Sequence, residues 1–263
     1  MVIKAEILTL GREILIGKTV NTNASWIASQ LTSMGFSVER IVVAPDSVAE
    51  ISAALTDSLQ RHADVLIVTG GLGSTYDDLT VDGLASALKV PKEINDRALG
   101  MVRNRYESLG LDMTPLRKKL AIMPEGSKPL RNESGSAPGL FIESKGSMIF
   151  CLPGVPREMI GIFQSEVHRI IEEKTALNSF MESSLTITGM PESSLAPIIE
   201  EWLPRSGGIY LKSHPMGGEG NPSILVHLSL LGKDKGRMRR ALRAAEESFK
   251  SMVKHHGGKI QES

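Results

Sequence analysis

Asp64-Val65-Leu66-Ile67-Val68-Thr69-Gly70-Gly71-Leu72-Gly73-Ser74-Thr75-Tyr76-Asp77-Asp78-Leu79-Thr80 is the stretch from which the fold can be read. Its apolar opening, Val65 to Val68, has no polar alternation, as expected of a parallel strand covered on both faces. An apolar-periodic helix opens near Thr80 to Asp82. Between them, three glycines let the backbone turn sharply and bring bare N–H groups near a ligand. Amides at a strand-to-helix turn suit phosphate oxygens. The adjacent Asp77 and Asp78 would repel phosphate unless a cation sat between, and Mg²⁺ with oxygen ligands resolves that conflict. A plain turn with Asp77, Asp78 or Thr80 as helix cap accounts for the same residues.

Working outward, Ala5 to Leu10 is a strand, Ala24 to Ser33 a helix capped within Asn21 to Asn23, and Phe36 to Val43 a second strand. Ser47 stands where it can cap a helix running to Arg61. The resulting βαβαβ order implies a parallel sheet with helices on both faces. Ligands of such sheets sit beyond the carboxyl ends of the strands. Gly11, Asp46 and Gly70 each follow a strand, so they share one rim. Two familiar phosphate motifs do not fit. A dinucleotide fingerprint requires glycine where Tyr76 stands. Gly11 to Gly17-Lys18-Thr19 has five bulky residues between its glycines, one more than a P-loop.

Asn95 to Leu109 reads as a charged helix, and Thr114-Pro115 restarts a short basic one, Leu116 to Leu120. Met123 to Gly139 is rich in Pro, Gly and Ser. Leu140 to Glu143 and Ser147 to Leu152 are strands joined at Lys145-Gly146. Pro153-Gly154-Val155-Pro156 is a stiff turn into a helix, with Pro156 suited to its first position. The composition shifts near residues 172–184, and βαββαβ follows, a small split-βαβ domain. Two domains are expected, 1–172 and 173–263. Gly217 and Gly220 bracket a Gly-x-x-Gly of the kind KH domains use on RNA, but between strands, not helices. His214 is the histidine best placed to reach a neighbouring subunit's pocket, or is a loop residue.

The 263 residues hold 30 basic and 30 acidic side chains, so no global positive field favours nucleic acid. The single cysteine, Cys151, lies in an apolar strand and excludes both an intrachain disulfide and a cysteine zinc cluster. No apolar run reaches spanning length and Met1 leads straight into a strand, so a cytoplasmic protein without membrane contact is expected.

Several blocks together resemble one family. They are Gly11-Arg12-Glu13-Ile14-Leu15 with Asn21-Thr22-Asn23, Asp46, Thr69 to Gly73 with Asp77 to Thr80, Pro124-Glu125-Gly126, Gly135 to Gly139, and Leu152 to Met159. In this order over residues 1 to about 170 they resemble the amino-terminal part of the competence/damage-inducible (CinA-like) family, related to the molybdopterin-binding (MoaB/Mog-like) domain. The resemblance implies a three-layer α/β fold, mostly parallel, beside a small α+β domain of KH-like or ferredoxin-like type. It implies a homodimer or homotrimer acting on a phosphorylated small molecule. Members are reported to hydrolyse ADP-ribose at its diphosphate with a divalent metal, and related domains bind or adenylylate molybdopterin.

Carried onto this chain, the expected catalytic residues are Asp78, Asp46 and Asp77, with Asp78 and Asp46 holding Mg²⁺ or a similar ion. Gly70, Gly71, Gly73, Ser74, Thr75, Gly11, Arg12, Pro153 and Gly154 are the expected phosphate-binding residues. Arg12, Lys18 or Arg117 would neutralise developing charge. A pterin- or nucleotide-binding module without hydrolysis uses the same glycines. Two positions depart from the family pattern: Arg12 replaces Asn or Asp, and Ser74 replaces Pro. The nicotinamide mononucleotide deamidase domain of many members has no counterpart in these residues, so deamidation is not expected.

Overall fold

A computed structural model describes residues 3–174, 179–217 and 222–261. The chain divides into two compact units, Met1–Thr32 with Phe36–Ala176 and Ser33–Gly35 with Leu177–Ser263.

The first unit runs β1 (Ile3–Leu10), α1 (Arg12–Leu15), α2 (Thr22–Ser33), β2 (Phe36–Ala44), α3 (Val48–Gln60), β3 (Val65–Thr69), α4 (Thr80–Leu88), β4 (Lys92–Ile94), α5 (Asp96–Ser108), α6 (Pro115–Lys119), β5 (Ile122–Pro124), β6 (Lys128–Leu130), β7 (Gly139–Ser144), β8 (Ser147–Leu152), α7 (Pro156–Ile162) and α8 (His168–Lys174). Six strands form one sheet in the order β2-β1-β3-β8-β7-β6. The neighbours β2, β1, β3 and β8 are parallel, while β7 and β6 close the sheet antiparallel. The layered, mostly parallel sheet expected from the strand pattern is therefore present.

Burial explains the centre of this sheet. Every residue of β3 is buried, and so is every residue of β8. Each fully buried Val, Leu or Ile contributes about 1.5–3 kcal/mol relative to exposure. Leu8, Leu66, Val68, Ile149 and Cys151 pack in one cluster with Ile51 and Leu55 of α3 and Leu84 of α4. Gly83 lets α4 lie against α3, since a Cβ there would come 2.3 Å from Ile51 Cγ2. The β7–β8 hairpin turns on Lys145 and Gly146, whose φ values of 51° and 84° match a primed two-residue turn.

Local capping differs in part from expectation. Asn21 accepts the Ala24 N–H at 3.2 Å and Asn95 the Ala98 N–H at 3.0 Å. Ser47 stands at the start of α3 but makes no side-chain cap hydrogen bond. Neither Asp77 nor Asp78 caps α4, whose N-cap position is Leu79.

One buried ion pair stiffens the opposite end of the sheet. Glu6, only 3% exposed, accepts from Arg61 Nε at 2.8 Å and Nη2 at 2.7 Å, and from Ser58 Oγ at 2.7 Å. Burial alone would raise its carboxyl pKa, but the Arg61 and Ser58 hydrogen bonds and the Arg61 charge outweigh that and hold it below the usual range.

The second unit holds β9 (Ser179–Thr188), α9 (Glu192–Trp202), β10 (Tyr210–Pro215), β11 (Ser223–Gly232), α10 (Lys235–His255) and β12 (Lys259–Gln261). Its sheet runs β10-β11-β9-β12 with antiparallel neighbours throughout. Strand β11 thus inserts between β9 and β10, the split βαβ arrangement. Its core centres on Trp202 stacked edge-on against Phe249. Gly217 follows β10, whereas Gly220 lies outside the described residues. Among the described residues no helix is long and apolar enough to cross a membrane.

Candidate functional site

The parallel register of β2, β1, β3 and β8 brings their carboxyl ends to one edge of the sheet. Gly11 follows β1, Asp46 follows β2, Gly70 follows β3 and Pro153 follows β8. Backbone contacts tie these turns together. The Gly70 N–H donates to Leu152 O at 3.0 Å, and the Gly11 N–H to Ala44 O at 3.3 Å. A Cβ on Gly70 would lie 2.5 Å from Leu10 O, and one on Gly154 would lie 3.3 Å from Gly70 Cα. With φ of 102° at Gly70 and 63° at Gly71, a side chain at either position would be strained as well as crowded.

The loop from Gly70 to Thr80 is held by its own side chains. Buried Thr80 Oγ1 donates to Gly70 O at 2.6 Å, and the Thr80 N–H donates to Gly71 O at 3.1 Å. Asp78 Oδ2 accepts from the Thr75 N–H at 2.8 Å and from Thr75 Oγ1 at 2.5 Å. The Thr75 hydroxyl also lies 2.5 Å from Asp77 Oδ1. That hydroxyl contact, an Asp77 backbone bond and the Lys119 charge together lower the Asp77 pKa. Lys119 Nζ clamps the outside of the loop by donating to Thr75 O and Asp78 O.

These turns enclose a polar cavity of about 570 Å³, bounded also by Tyr106, Leu120 and the Gly135–Ala137 loop. Of the expected site residues, Gly11, Asp46, Gly70, Gly71, Gly73, Ser74, Thr75, Asp77, Asp78, Pro153 and Gly154 all line it. Asp77 is exposed, while Asp46 and Asp78 are half-buried.

Several expected roles are corrected by the hydrogen bonding. The Gly70 amide is taken by Leu152 O, the Gly11 amide by Ala44 O and the Thr75 amide by Asp78 Oδ2, whereas the amides of Gly71, Gly73, Ser74 and Gly154 have no acceptor among the described residues. Pro153 has no N–H and only shapes the wall. Arg12 does not line the cavity; its side chain is exposed and its N–H donates to Asp46 Oδ2 at 3.0 Å. Lys18 is exposed and also off the cavity wall. Arg117 lies 4.4 Å over the Tyr106 ring and donates to Asp112 O, so it does not face the cavity. His214 lies in β10, paired with Leu225 of β11, and its ring meets the His227 ring edge-on.

Two carboxylates joined the wall without being expected there. Glu13 stands two residues after Gly11, and its Oε1 lies 2.5 Å from where a Gly11 Cβ would stand. Glu158 reaches over from α7, and its Oε2 accepts from Asn132 Nδ2 at 2.6 Å. Glu158 directly follows the Pro153–Arg157 turn, which was the available signal. The cavity wall therefore carries Glu13, Asp46, Asp77, Asp78 and Glu158 and, among the described residues, no Lys or Arg. Among the described residues no three Asp, Glu, His or Cys side chains converge as a ready metal cage.

Residues 6–173 match the family described as "Probable molybdopterin binding domain". The chain belongs to this molybdopterin-binding domain family. The match covers the six-stranded sheet except the first three residues of β1, and every turn of the cavity just described. A protein of Metallosphaera sedula is 41% identical over 261 residues, covering 99% of this chain and 98% of its own length. One from Aeropyrum pernix is 42% identical over 260 residues, covering 98% and 97%. The solved structure of CinA from Thermoplasma acidophilum, itself described as of unknown function, matches with a TM-score of 0.61 and 39% identity. That match covers 65% of this chain and 99% of the other. The CinA-like resemblance of the sequence blocks is thus borne out, and the molybdopterin-binding domain is the part of the chain that carries the rim cavity.

Proposed function

We propose that this protein binds a phosphorylated pterin or nucleotide in the rim cavity of its first unit. The observation that supports this most is the convergence of four strand-end turns on one hollow, with the Gly71, Gly73 and Ser74 amides free to meet an anion. The carboxylates of Asp46, Asp78 and Glu158 suit the N–H edge of a pterin or purine ring, because ionised carboxylates only accept hydrogen bonds. Tyr106 and Leu120 offer apolar surface to the ring faces. Family membership favours the same ligand class.

The acidic wall has one further consequence. A phosphate beside five carboxylates requires a counter-charge, and among the described residues no Lys or Arg on the wall supplies it. The carboxylates do not form a cage of their own, but Mg²⁺ is commonly held by one or two carboxylates plus substrate phosphates. The donor set fits that mode, with Asp46 and Asp78 each keeping one oxygen outside the hydrogen bonds described. The ion would neutralise the phosphate and polarise its oxygens. Cleavage of an ADP-ribose diphosphate is the enzymatic form of this reading.

Thermal melting with ADP-ribose or a phosphorylated pterin, each with and without Mg²⁺, tests the proposal. A ligand at a hundred times its Kd adds about 2.7 kcal/mol. That raises the melting temperature by about 5–11 °C for a unit of this size, and Asp78→Ala should abolish the rise. AMP release from ADP-ribose in the same samples separates hydrolysis from binding. No rise with any ligand at millimolar concentration would refute the proposal.

A further inference from the structure

We infer that a cleft behind the Asn132–Gly139 loop is a second anion-binding site, built for a phosphate group. It is a separate hollow of about 700 Å³, and it shares only Gly135 and Ser136 with the rim cavity. One wall is α5, which presents Arg97, Met101, Asn104, Arg105 and Ser108. These positions recur at helical spacing and so form one stripe. The other wall is the chain from Arg131 to Ser136.

The charge of this cleft is opposite to that of the rim cavity. It is lined by three guanidinium groups, Arg97, Arg105 and Arg131, against one carboxylate, Glu133. Glu133 lies 3.6 Å from Arg131, with both side chains mostly exposed, so that pair is weak. Arg97 has no ion pair or hydrogen bond among the described residues.

Arg105 is the anchor. Its Nη2 reaches Ser134 O at 3.4 Å, while its Nε is buried and has no partner among the described residues. Nη1 of this permanently charged fork takes part in none of the hydrogen bonds described and so calls for an acceptor. A tetrahedral oxyanion presents two oxygens at the spacing of that fork.

The facing wall is pre-formed. Asn132 Oδ1 accepts the Ser134 N–H at 3.1 Å and the Gly135 N–H at 2.8 Å. Asn132 Nδ2 donates to Ala137 O at 2.8 Å as well as to Glu158. The loop therefore need not order itself when an anion enters, which lowers the cost of binding. These residues carry the second site independently of the ligand proposed for the rim cavity.

Pyrophosphate titrated calorimetrically into the full chain at low salt tests it. The wild type should bind, and Arg97→Gln with Arg131→Gln should weaken that binding at least tenfold. Both positions are exposed, so the fold is not at risk. Removing one charged hydrogen bond corresponds to about tenfold or more in affinity. Arg105→Lys, which keeps the charge but loses the planar fork, should weaken binding by about tenfold. Two sources of the phosphate are separable by titrating ADP with pyrophosphate already present. Competition means that one ligand reaches from the rim cavity into the cleft, and additive binding means a free anion. An isotherm unaltered by the Arg97/Arg131 pair, or no pyrophosphate binding by the wild type at millimolar concentration, overturns the inference.

Discussion

Gly73→Ala isolates the contact that holds Asp78 in the rim cavity. Gly73 has no positive φ, so alanine costs little in backbone strain and the conflict is steric alone. The new Cβ would lie 2.5 Å from Asp78 Oδ2, 2.9 Å from Cγ and 3.0 Å from Oδ1. Ordinary contact begins at 3.4 Å, so the carboxylate must retreat by about 0.9 Å. Its bonds to Thr75 start at 2.8 Å and 2.5 Å and weaken beyond about 3.2 Å. Both lie at the surface, so their joint loss is placed at the low end for charged hydrogen bonds, about 1.5 kcal/mol. That lowers the melting temperature by about 3–6 °C. With the carboxylate displaced, ADP-ribose affinity should fall by about tenfold. The decisive measurement is a double-mutant cycle with Asp78→Ala, read by thermal melting and by calorimetry. In the Asp78→Ala background the cost of Gly73→Ala should shrink below about 0.5 kcal/mol, because nothing remains to be displaced. If Gly73→Ala carries the same cost with and without Asp78, the steric reasoning is wrong.

Three other outcomes are expected. Glu6→Gln should destabilise the first unit by about 1.5–3 kcal/mol at neutral pH, the range for a hydrogen bond to a charged partner. Because the folded-state pKa of Glu6 is lowered, its contribution is present above about pH 4.3 and is lost as pH falls through the folded value. The stability gap between wild type and Glu6→Gln, followed by urea unfolding, should stay level from pH 7 to 5 and close below pH 4; a gap that widens on acidification would contradict the sign. Gly83→Ala gains about 1 kcal/mol of helix propensity but overlaps the buried Ile51, where overpacking costs about 1–3 kcal/mol. Chemical denaturation should show no net gain, and a clear stabilisation would show that α3 and α4 are not in close contact. Burial pushes the Cys151 thiol pKa well up, so iodoacetamide should alkylate it only after unfolding; rapid labelling of the native protein by mass spectrometry would argue against the buried strand.

How much was legible in the residues depended on how local the signal was. Val65 to Val68 could be assigned because a strand buried on both faces needs an unbroken apolar run. Lys145-Gly146 could be assigned as a turn because few residue pairs tolerate two positive φ values. The three-residue strands β4, β5 and β6 were missed, since so short a segment shows no periodicity. Within the basic stretch Leu116 to Leu120, the sequence drew attention to Arg117, yet Lys119 is the residue that clamps the loop. Both sit on one short helix, and only the direction of that helix separates them. The three glycines looked equivalent, but Gly70 gives its amide to Leu152 while Gly71 and Gly73 do not.

Strand identity, strand order along the chain and the glycine turns follow from the sequence alone, because burial pattern and backbone freedom are properties of neighbouring residues. The family blocks likewise pointed to one rim before any coordinates. What only the tertiary structure decided is the sign of charge on each side of the Asn132–Gly139 loop. Glu13, Asp46, Asp78 and Glu158 come from four separate segments, two of them helices, and Arg97, Arg105 and Arg131 from a helix and a loop. A chain with 30 acidic and 30 basic residues is neutral in sum. Its fields arise where folding gathers like charges, and that gathering is set by sheet register and helix orientation, which no local stretch contains.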